Sequence, residues 1–371
     1  MKKILFLINT LRCGGAEKVL IDLANNLSPE KFDITIQTID NSGSFINRLS
    51  KNVRYKTINN KRGILKKVFG HLLTFNISAK SIYKKYIDDN YDVEIAFLEG
   101  LPTKIISAST NVNATKIAWV HMDLIKYFDS LSVYRDFEEN RNCYCKFDKI
   151  ACVSESVKEK FIERFGNPGN DIQTVYNVVV DKEIRRKGNE SLFNVKHDYP
   201  VMISCGRLCK QKGFDRLLRI HRKLIDENVK HYLWLIGDGE ERKEFESYIS
   251  ENGLTKTVTI WGYQDNPYKY IKNADLFVCS SVAEGFSTVV TESAILGTPV
   301  ISTEVAGARE PIECPRCYKV VNNDEESLYT AIKQLLTDKE EYDKAKRYTA
   351  GVSQYFKMEE YLKKVTDFIG E

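Results

Sequence analysis

Short uninterrupted apolar runs recur along the chain, separated by longer polar or helical stretches. Residues 3–9 enclose Ile4-Leu5-Phe6-Leu7-Ile8, the run expected of a strand buried on both faces of a parallel sheet. Gly14 and Gly15 then break the chain, and Val19, Leu23 and Leu27 recur at helical spacing until Ser28-Pro29 ends the helix. Further strand signals at 33–39, 93–98, 117–120, 150–153 and 174–175 continue this alternation. The signal thins across the polar stretch 181–198 and restarts at Tyr199, with strands expected at 201–204, 232–236, 258–261, 276–279, 300–302 and 318–321. Strand-helix alternation of this kind predicts α/β domains with parallel sheets. The pattern gives two doubly wound domains in series, 1–180 and 199–352, joined by a linker over 181–198. Ligands of such sheets bind at the carboxyl ends of the strands.

A length of 371 residues accommodates two such domains. With 43% hydrophobic and 29% charged residues, the composition excludes disordered, collagenous and integral-membrane classes. No apolar run approaches the roughly 20 residues that span a bilayer. The run after Met1-Lys2-Lys3 stops at Asn9, too short for a signal peptide, and reads as the first strand. Nine cysteines, an odd and scattered set, argue against a disulfide framework and for a reducing, cytoplasmic setting. Cys314-Pro-Arg-Cys317 has metal-ligand spacing, and Cys143 with Cys145 could complete a set of four. No second C-x-x-C exists, so buried free cysteine is the preferred reading and no metal is expected.

Net charge is +4, but residues 51–90 hold ten Lys or Arg against two Asp, leaving the rest of the chain acidic. Within this window Ile64, Leu65, Val68, Phe69 and Leu72 form a helical stripe, with Lys66 and Lys67 opposite and Lys80, Lys84 and Lys85 beyond. Two readings stand: an ordinary helix under a solvated basic face, or a peripheral contact with an anionic membrane surface. The window lacks the interleaved aromatics of a nucleic-acid groove, so no nucleic-acid partner is expected.

Three loops could carry chemistry. Gly14-Gly15-Ala16-Glu17 lies where a first strand meets a helix N-terminus, a position that favours an anion, although the G-x-G-x-x-G spacing of a dinucleotide site is missing. Between the first strand and helix of the second domain, Gly206–Gly213 offers Arg207 and Lys212, a rigid fork and a mobile point charge suited to a diphosphate. The segment 280–299 leaves a strand and enters a helix that Ser287 or Thr288 can cap and Gly297 and Pro299 end. Glu284 precedes that helix and Glu292 lies inside it. Carboxylates accept hydrogen bonds from sugar hydroxyls, but on spacing alone both glutamates read as surface residues.

The E-x7-E pair, set in Glu284-Gly285-Phe286-Ser287 and Thr291-Glu292-Ser293-Ala294, resembles the signature of glycosyltransferase family 4. Arg207 through Lys212-Gly213, Gly237-Asp238-Gly239, Trp261-Gly262, Gly14-Gly15-Ala16-Glu17 and Trp119-Val120-His121 follow in the family's order, so the resemblance runs from Lys3 to about Val321. It implies a GT-B architecture, two Rossmann-like domains facing a central cleft, with the chain over 353–371 crossing back as a helix to the first domain. It also implies retaining transfer from a nucleotide diphosphate sugar, a UDP-sugar foremost, by a hexosyltransferase. Carried over by position, Arg207 and Lys212 hold the diphosphate and Glu292 the ribose. Glu284 and the amides of Phe286, Ser287 and Thr288 hold the donor sugar and phosphates. Gly262 and Tyr263 flank the base, Gly15, Gly237 and Gly285 complete the donor loops, and His121 reaches the sugar from the first domain. A histidine packed at the sheet edge beside Trp119 is the plainer alternative for His121. No D-x-D occurs, so neither metal nor another cofactor is expected. The acceptor implied is a saccharide, lipid-linked if the basic window meets a membrane, in cell-surface polysaccharide or glycolipid synthesis. A nucleotide-sugar epimerase and a non-catalytic nucleotide-sugar-binding partner subunit are the competing readings.

Overall fold

The computed structural model describes residues 1–12, 14–61, 77–87, 90–125, 133–192, 197–310 and 316–370. The chain divides into two units, Met1–Val178 with Glu359–Glu371, and Val179–Met358.

In the first unit, β1 (Lys2–Ile8), β2 (Phe32–Asp40), β3 (Val53–Asn59), β4 (Val93–Ala96), β5 (Thr115–Val120), β6 (Lys149–Cys152) and β7 (Asp171–Thr174) form one sheet in the order β3-β2-β1-β4-β5-β6-β7. Every neighbouring pair is parallel, with Ile4 of β1 level with Ile34 of β2 and Val93 of β4. Ile4 to Ile8 are wholly buried, as a strand covered by helices on both faces requires. The apolar pattern misses β3. Arg54, Lys56 and Thr57 break its hydrophobic run, and the strand pairs only with β2 at the sheet edge, where one side can stay polar. The final helix, Met358–Ile369, closes this unit: Phe368 meets Trp119 edge-on at 6.3 Å, and Lys149 donates to the Phe368 carbonyl at 2.7 Å.

In the second unit, β8 (Val201–Cys205), β9 (Tyr232–Ile236), β10 (Val258–Gly262), β11 (Leu276–Cys279), β12 (Val300–Thr303) and β13 (Lys319–Val321) are ordered β10-β9-β8-β11-β12-β13 and again parallel. Alternate residues feed two cores. Met202, Leu233, Leu235, Leu276 and Val278 join the helices Phe214–Asp226, Arg242–Glu251 and Glu325–Thr337, while Val201, Ile203, Trp234, Ile236 and Phe277 join Tyr268–Lys272 and Thr288–Ile295. The period-2 alternation of a strand thus fills both faces at once.

The stretch expected as linker contains a helix: Asp181–Gly188 packs on Tyr268–Lys272 and Thr288–Ile295. Its apolar signal is weak because Ile184 is its one large buried apolar residue, yet Asp181 and Glu183 in the first turn and Arg185, Arg186 and Lys187 in the last complement the helix dipole. A Cβ on Gly188 would lie 2.4 Å from Leu296 Cδ2, so a larger residue there would require the leucine side chain to turn aside.

The strand order of both sheets reverses at an equivalent point. β1 sits between β2 and β4, and β8 between β9 and β11, so the loops after β1 and β4, and after β8 and β11, flank the two crevices where ligands of open α/β sheets bind.

Candidate functional site

The second unit's crevice is built by close backbone packing. A Cβ on Gly237, at φ 137°, would fall 1.8 Å from the Gly206 carbonyl oxygen, and one on Gly213, at φ 61°, would fall 2.2 Å from that of Ser280. Only glycine lets these strand exits approach so closely. Arg216, almost wholly buried, then fastens the loop after β11: its Nε donates to the Ser280 carbonyl at 2.7 Å and Nη2 to that of Ser281 at 2.6 Å.

Lys212 and Glu284 meet across the switch point. Lys212 Nζ lies 2.5 Å from Glu284 Oε1, which also accepts from the Ser281 hydroxyl at 2.6 Å. Gln211 ties the same two loops through the Ala283 carbonyl at 3.0 Å. Burial pulls the lysine's pKa down, but the charge and hydrogen bond of Glu284 outweigh it, so the net shift is upward and the ammonium stays charged. Glu284 is 7% and Glu292 3% exposed, which corrects the expectation that both are surface residues. Glu292, inside the helix Thr288–Ile295, accepts from the Tyr268 hydroxyl at 3.3 Å. Ser287 holds the N-cap position without a side-chain cap, so neither expected capper bonds the first-turn amides through its side chain. Those amides therefore keep donor capacity for an anion.

The remaining second-unit candidates line the same end of the sheet. Arg207 is exposed, Gly237 donates its N–H to the Gly262 carbonyl at 2.9 Å, and Gly262, at φ 70°, turns the chain into the exposed Tyr263. Gly285 and Phe286 are buried, with Ser287 and Thr288 half-exposed above them. Arg216, Gln211 and Ser281 escaped sequence reasoning because a polar residue on a helix or loop carries no sign that it turns inward. A further residue of this kind, Arg316, grips the same loop from beneath.

Gly15 and His121 belong to the first unit. Gly15 opens the helix Gly15–Asn26, but Glu17 folds over the turn so closely that a Cβ on Gly14 would meet its Oε2 at 2.1 Å. That places a carboxylate at the expected anion position. His121 follows β5, half-buried, its ring 4.8 Å from that of Phe97. Burial holds its pKa down at about 3, so the imidazole is neutral near pH 7. Its backbone N–H donates to Glu99, a residue the motifs did not single out, and the Met122 N–H donates to the same oxygen at 2.9 Å. Burial raises Glu99 to about 7, partly offset by these backbone hydrogen bonds.

Cys314 and the apolar stripe from Ile64 to Leu72, with Lys66 and Lys67, lie outside the described residues. Cys317 and Cys143 are buried and Cys145 exposed, and among the described residues no three His, Cys, Asp or Glu side chains gather as a metal-binding group. Lys80, Lys84 and Lys85 are exposed on the helix Ala79–Tyr86, whose Ile82 and Tyr83 turn into the core. Among the described residues no helix is long and apolar enough to cross a membrane.

Residues 13–183 match the model of Glycosyltransferase Family 4, and residues 187–352 that of Glycosyl transferases group 1. The chain belongs to the family 4 glycosyltransferases. Its relatives include an uncharacterized glycosyltransferase of Methanocaldococcus jannaschii, 30% identical over 58% of this chain and 54% of that protein. The lipopolysaccharide core biosynthesis glycosyltransferase LpsE of Rhizobium meliloti is 34% identical over 38% of this chain and 41% of its own. The N-acetylgalactosamine-N,N'-diacetylbacillosaminyl-diphospho-undecaprenol 4-alpha-N-acetylgalactosaminyltransferase of Campylobacter jejuni is 29% identical over 53% and 52%. The chain spans about half the length or less of these curated relatives. Anabaena HepE, solved in complex with UDP and glucose, superposes with a TM-score of 0.77 at 19% identity over 100% of both chains. Sucrose-phosphate synthase of Thermosynechococcus elongatus gives 0.76 at 19% over 99% and 98%. These family 4 units therefore have the GT-B fold.

Proposed function

We propose that this family 4 chain is a retaining hexosyltransferase that moves a sugar from a nucleotide diphosphate sugar, a UDP-sugar foremost, to a lipid-linked saccharide in cell-surface polysaccharide or glycolipid synthesis. The observation that carries this reading is the Lys212–Glu284 pair at the second unit's switch point, beside a helix N-terminus with no side-chain cap. Cleaving the bond between sugar and diphosphate builds negative charge on the leaving group and oxocarbenium character on the sugar. Lys212, Arg207 and the amides of Phe286, Ser287 and Thr288 supply preorganised positive potential for the first. Glu284 is pre-set to accept from donor-sugar hydroxyls, because Ser281 and Lys212 already fix its carboxylate. Glu292, steadied by Tyr268, takes the ribose, and Gly262 and Tyr263 flank the base. His121, neutral near pH 7, is assigned a part in turnover. These residues are enough to neutralise the leaving group without a divalent ion. Retention follows from front-face attack within an ion pair, and no dedicated nucleophile is assigned.

The relatives support the substrate class: HepE was solved with UDP and glucose, and the Campylobacter enzyme's name describes transfer onto a diphospho-undecaprenol-linked sugar. The exposed Lys80, Lys84 and Lys85 are consistent with a peripheral role at the cytoplasmic face of an anionic membrane. The test is to incubate the protein with UDP-sugars and lipid-linked saccharides in excess EDTA, measuring UDP release and the anomeric configuration of the product. Release with retained configuration is expected. An isomerised donor would indicate epimerisation, binding without release a non-catalytic subunit, and activity lost in EDTA but restored by magnesium a metal-dependent enzyme.

A further inference from the structure

After Trp119, Arg316 is the largest of the fully buried side chains, 1% exposed. Taking a guanidinium out of water costs several kcal/mol unless its hydrogens find acceptors. Among the described residues, the acceptors of its two terminal nitrogens converge on one place. Nη1 donates to the Ser287 carbonyl at 3.2 Å and to Thr291 Oγ1 at 2.8 Å, while Nη2 donates to the Gly307 carbonyl. The guanidinium carbon lies 3.9 Å from the centroid of the Phe286 ring, the distance of a cation-π contact.

Three of these partners belong to the loop and helix start that carry Glu284 and the first-turn amides. Ser287 is the N-cap residue of Thr288–Ile295 and Thr291 sits one turn on, so one fork spans the opening turn from its buried side. The fourth partner, Gly307, brings the loop after β12 against the same segment. At φ 75°, with a Cβ that would lie 3.1 Å from Phe286 Cδ2 and 3.3 Å from the Gly285 carbonyl oxygen, it leaves room for nothing larger than glycine without displacement. Since the N-cap serine makes no side-chain cap, the buried guanidinium is one of the restraints on the start of that helix.

We propose that Arg316 is a positioning residue for a bound diphosphate: by tying Ser287, Thr291 and Gly307 together against Phe286, it sets the direction of the helix-start amides that meet the donor's phosphates. This rests on reading the segment as a nucleotide diphosphate sugar site. A lysine keeps the charge but has neither the planar fork nor its reach to three acceptors. The effect should fall on the phosphates and spare the nucleoside.

The experiment measures UDP and uridine affinities by calorimetry, uridine by competition, alongside the thermal midpoint. Arg316→Lys is expected to weaken UDP at least about tenfold while uridine affinity stays within about twofold. Thr291→Val, which removes one acceptor at nearly constant volume, is expected to weaken UDP about threefold with uridine unchanged. A folded Arg316→Lys protein with wild-type UDP affinity overturns the inference, as do equal losses for both ligands, the mark of general loosening. If Arg316→Lys fails to fold, Thr291→Val decides the matter, and unchanged UDP affinity in that variant overturns the positioning role. Wild-type protein that binds no UDP overturns the donor-site reading itself, whereas UDP bound equally by wild type and variants overturns the positioning role alone.

Discussion

The second sheet repeats the strand order of the first six strands of the first sheet, yet the residues at the strand exits of the two units differ in electrostatic character. In the second unit, the exits of β8 and β11 carry a lysine held charged against a buried glutamate, with Arg216 beneath them. In the first unit, the exits of β4 and β5 carry Glu99, pushed up to about 7, and His121, held down at about 3. The first arrangement keeps fixed charges in place and suits a permanently anionic ligand. The second keeps its groups neutral or close to titration near pH 7, which suits hydroxyl-bearing ligands and proton movement. Fold alone does not choose between these chemistries; the few side chains at each crevice do.

The largest effect that would break this comparison concerns Lys212. Lys212→Met should cut sugar transfer at least about a hundredfold and also cost about 3 kcal/mol of stability, because Glu284 is left buried without its cation. Arg207→Ala, at an exposed position, should lower transfer comparably with a smaller loss of stability than Lys212→Met. A Lys212→Met protein of wild-type stability would mean that the ion pair does not hold the loops together.

The first unit can be tested by pH. Glu99 has its folded pKa raised above the usual 4.5, so it contributes stability below that value that is lost as pH rises through about 7. Between these limits wild type should lose about 3 kcal/mol relative to Glu99→Gln, read from urea denaturation at pH 4.5 and 8. A difference independent of pH would show that Glu99 is ionised throughout and that the two crevices are more alike than described.

A control comes from the far side of the second sheet, at the amino ends of β9 and β10. There His231 Nδ1–H donates to the Val229 carbonyl at 2.8 Å, so its Nε2 accepts from His221 Nδ1–H at 2.8 Å, and His221 Nε2 accepts from the Thr257 hydroxyl at 2.9 Å. Both rings are buried, and burial, reinforced by His231, holds His221 at about 3. This lowered pKa contributes stability above about 6.5 that is lost as pH falls toward 3, at about 1.4 kcal/mol per pH unit. His221→Asn should flatten the acid limb of the stability profile without moving UDP affinity. An unchanged acid limb would locate acid sensitivity elsewhere. The smallest effect is expected of Tyr268→Phe, which removes the 3.3 Å hydrogen bond to Glu292 and should weaken UDP by about threefold or less in calorimetry. A larger loss would make Tyr268 a ligand contact in its own right.

The α/β class was legible because buried parallel strands leave uninterrupted apolar runs, as Ile4 to Ile8 and Tyr232 to Ile236 do. β3 was not, since an edge strand with Arg54 and Lys56 shows no such run, and the polar helix Asp181–Gly188 reads like a linker because its stability comes from terminal charges and one buried isoleucine. Lys212, Glu284 and Glu292 were legible as motif residues, but their burial and partners were not.

Sequence alone determined the buried central strands, the order of the motif loops and the family, since these depend on local periodicity and on residue types at set spacings. Tertiary structure decided that Lys212 meets Glu284, that Glu99 holds the backbone of His121, and that Arg316 turns inward onto Ser287 and Gly307. Each of these contacts joins residues from different strand exits or loops. Whether a charge there is paired, shifted or stranded depends on burial and on neighbours distant in the chain, and a linear pattern does not encode either.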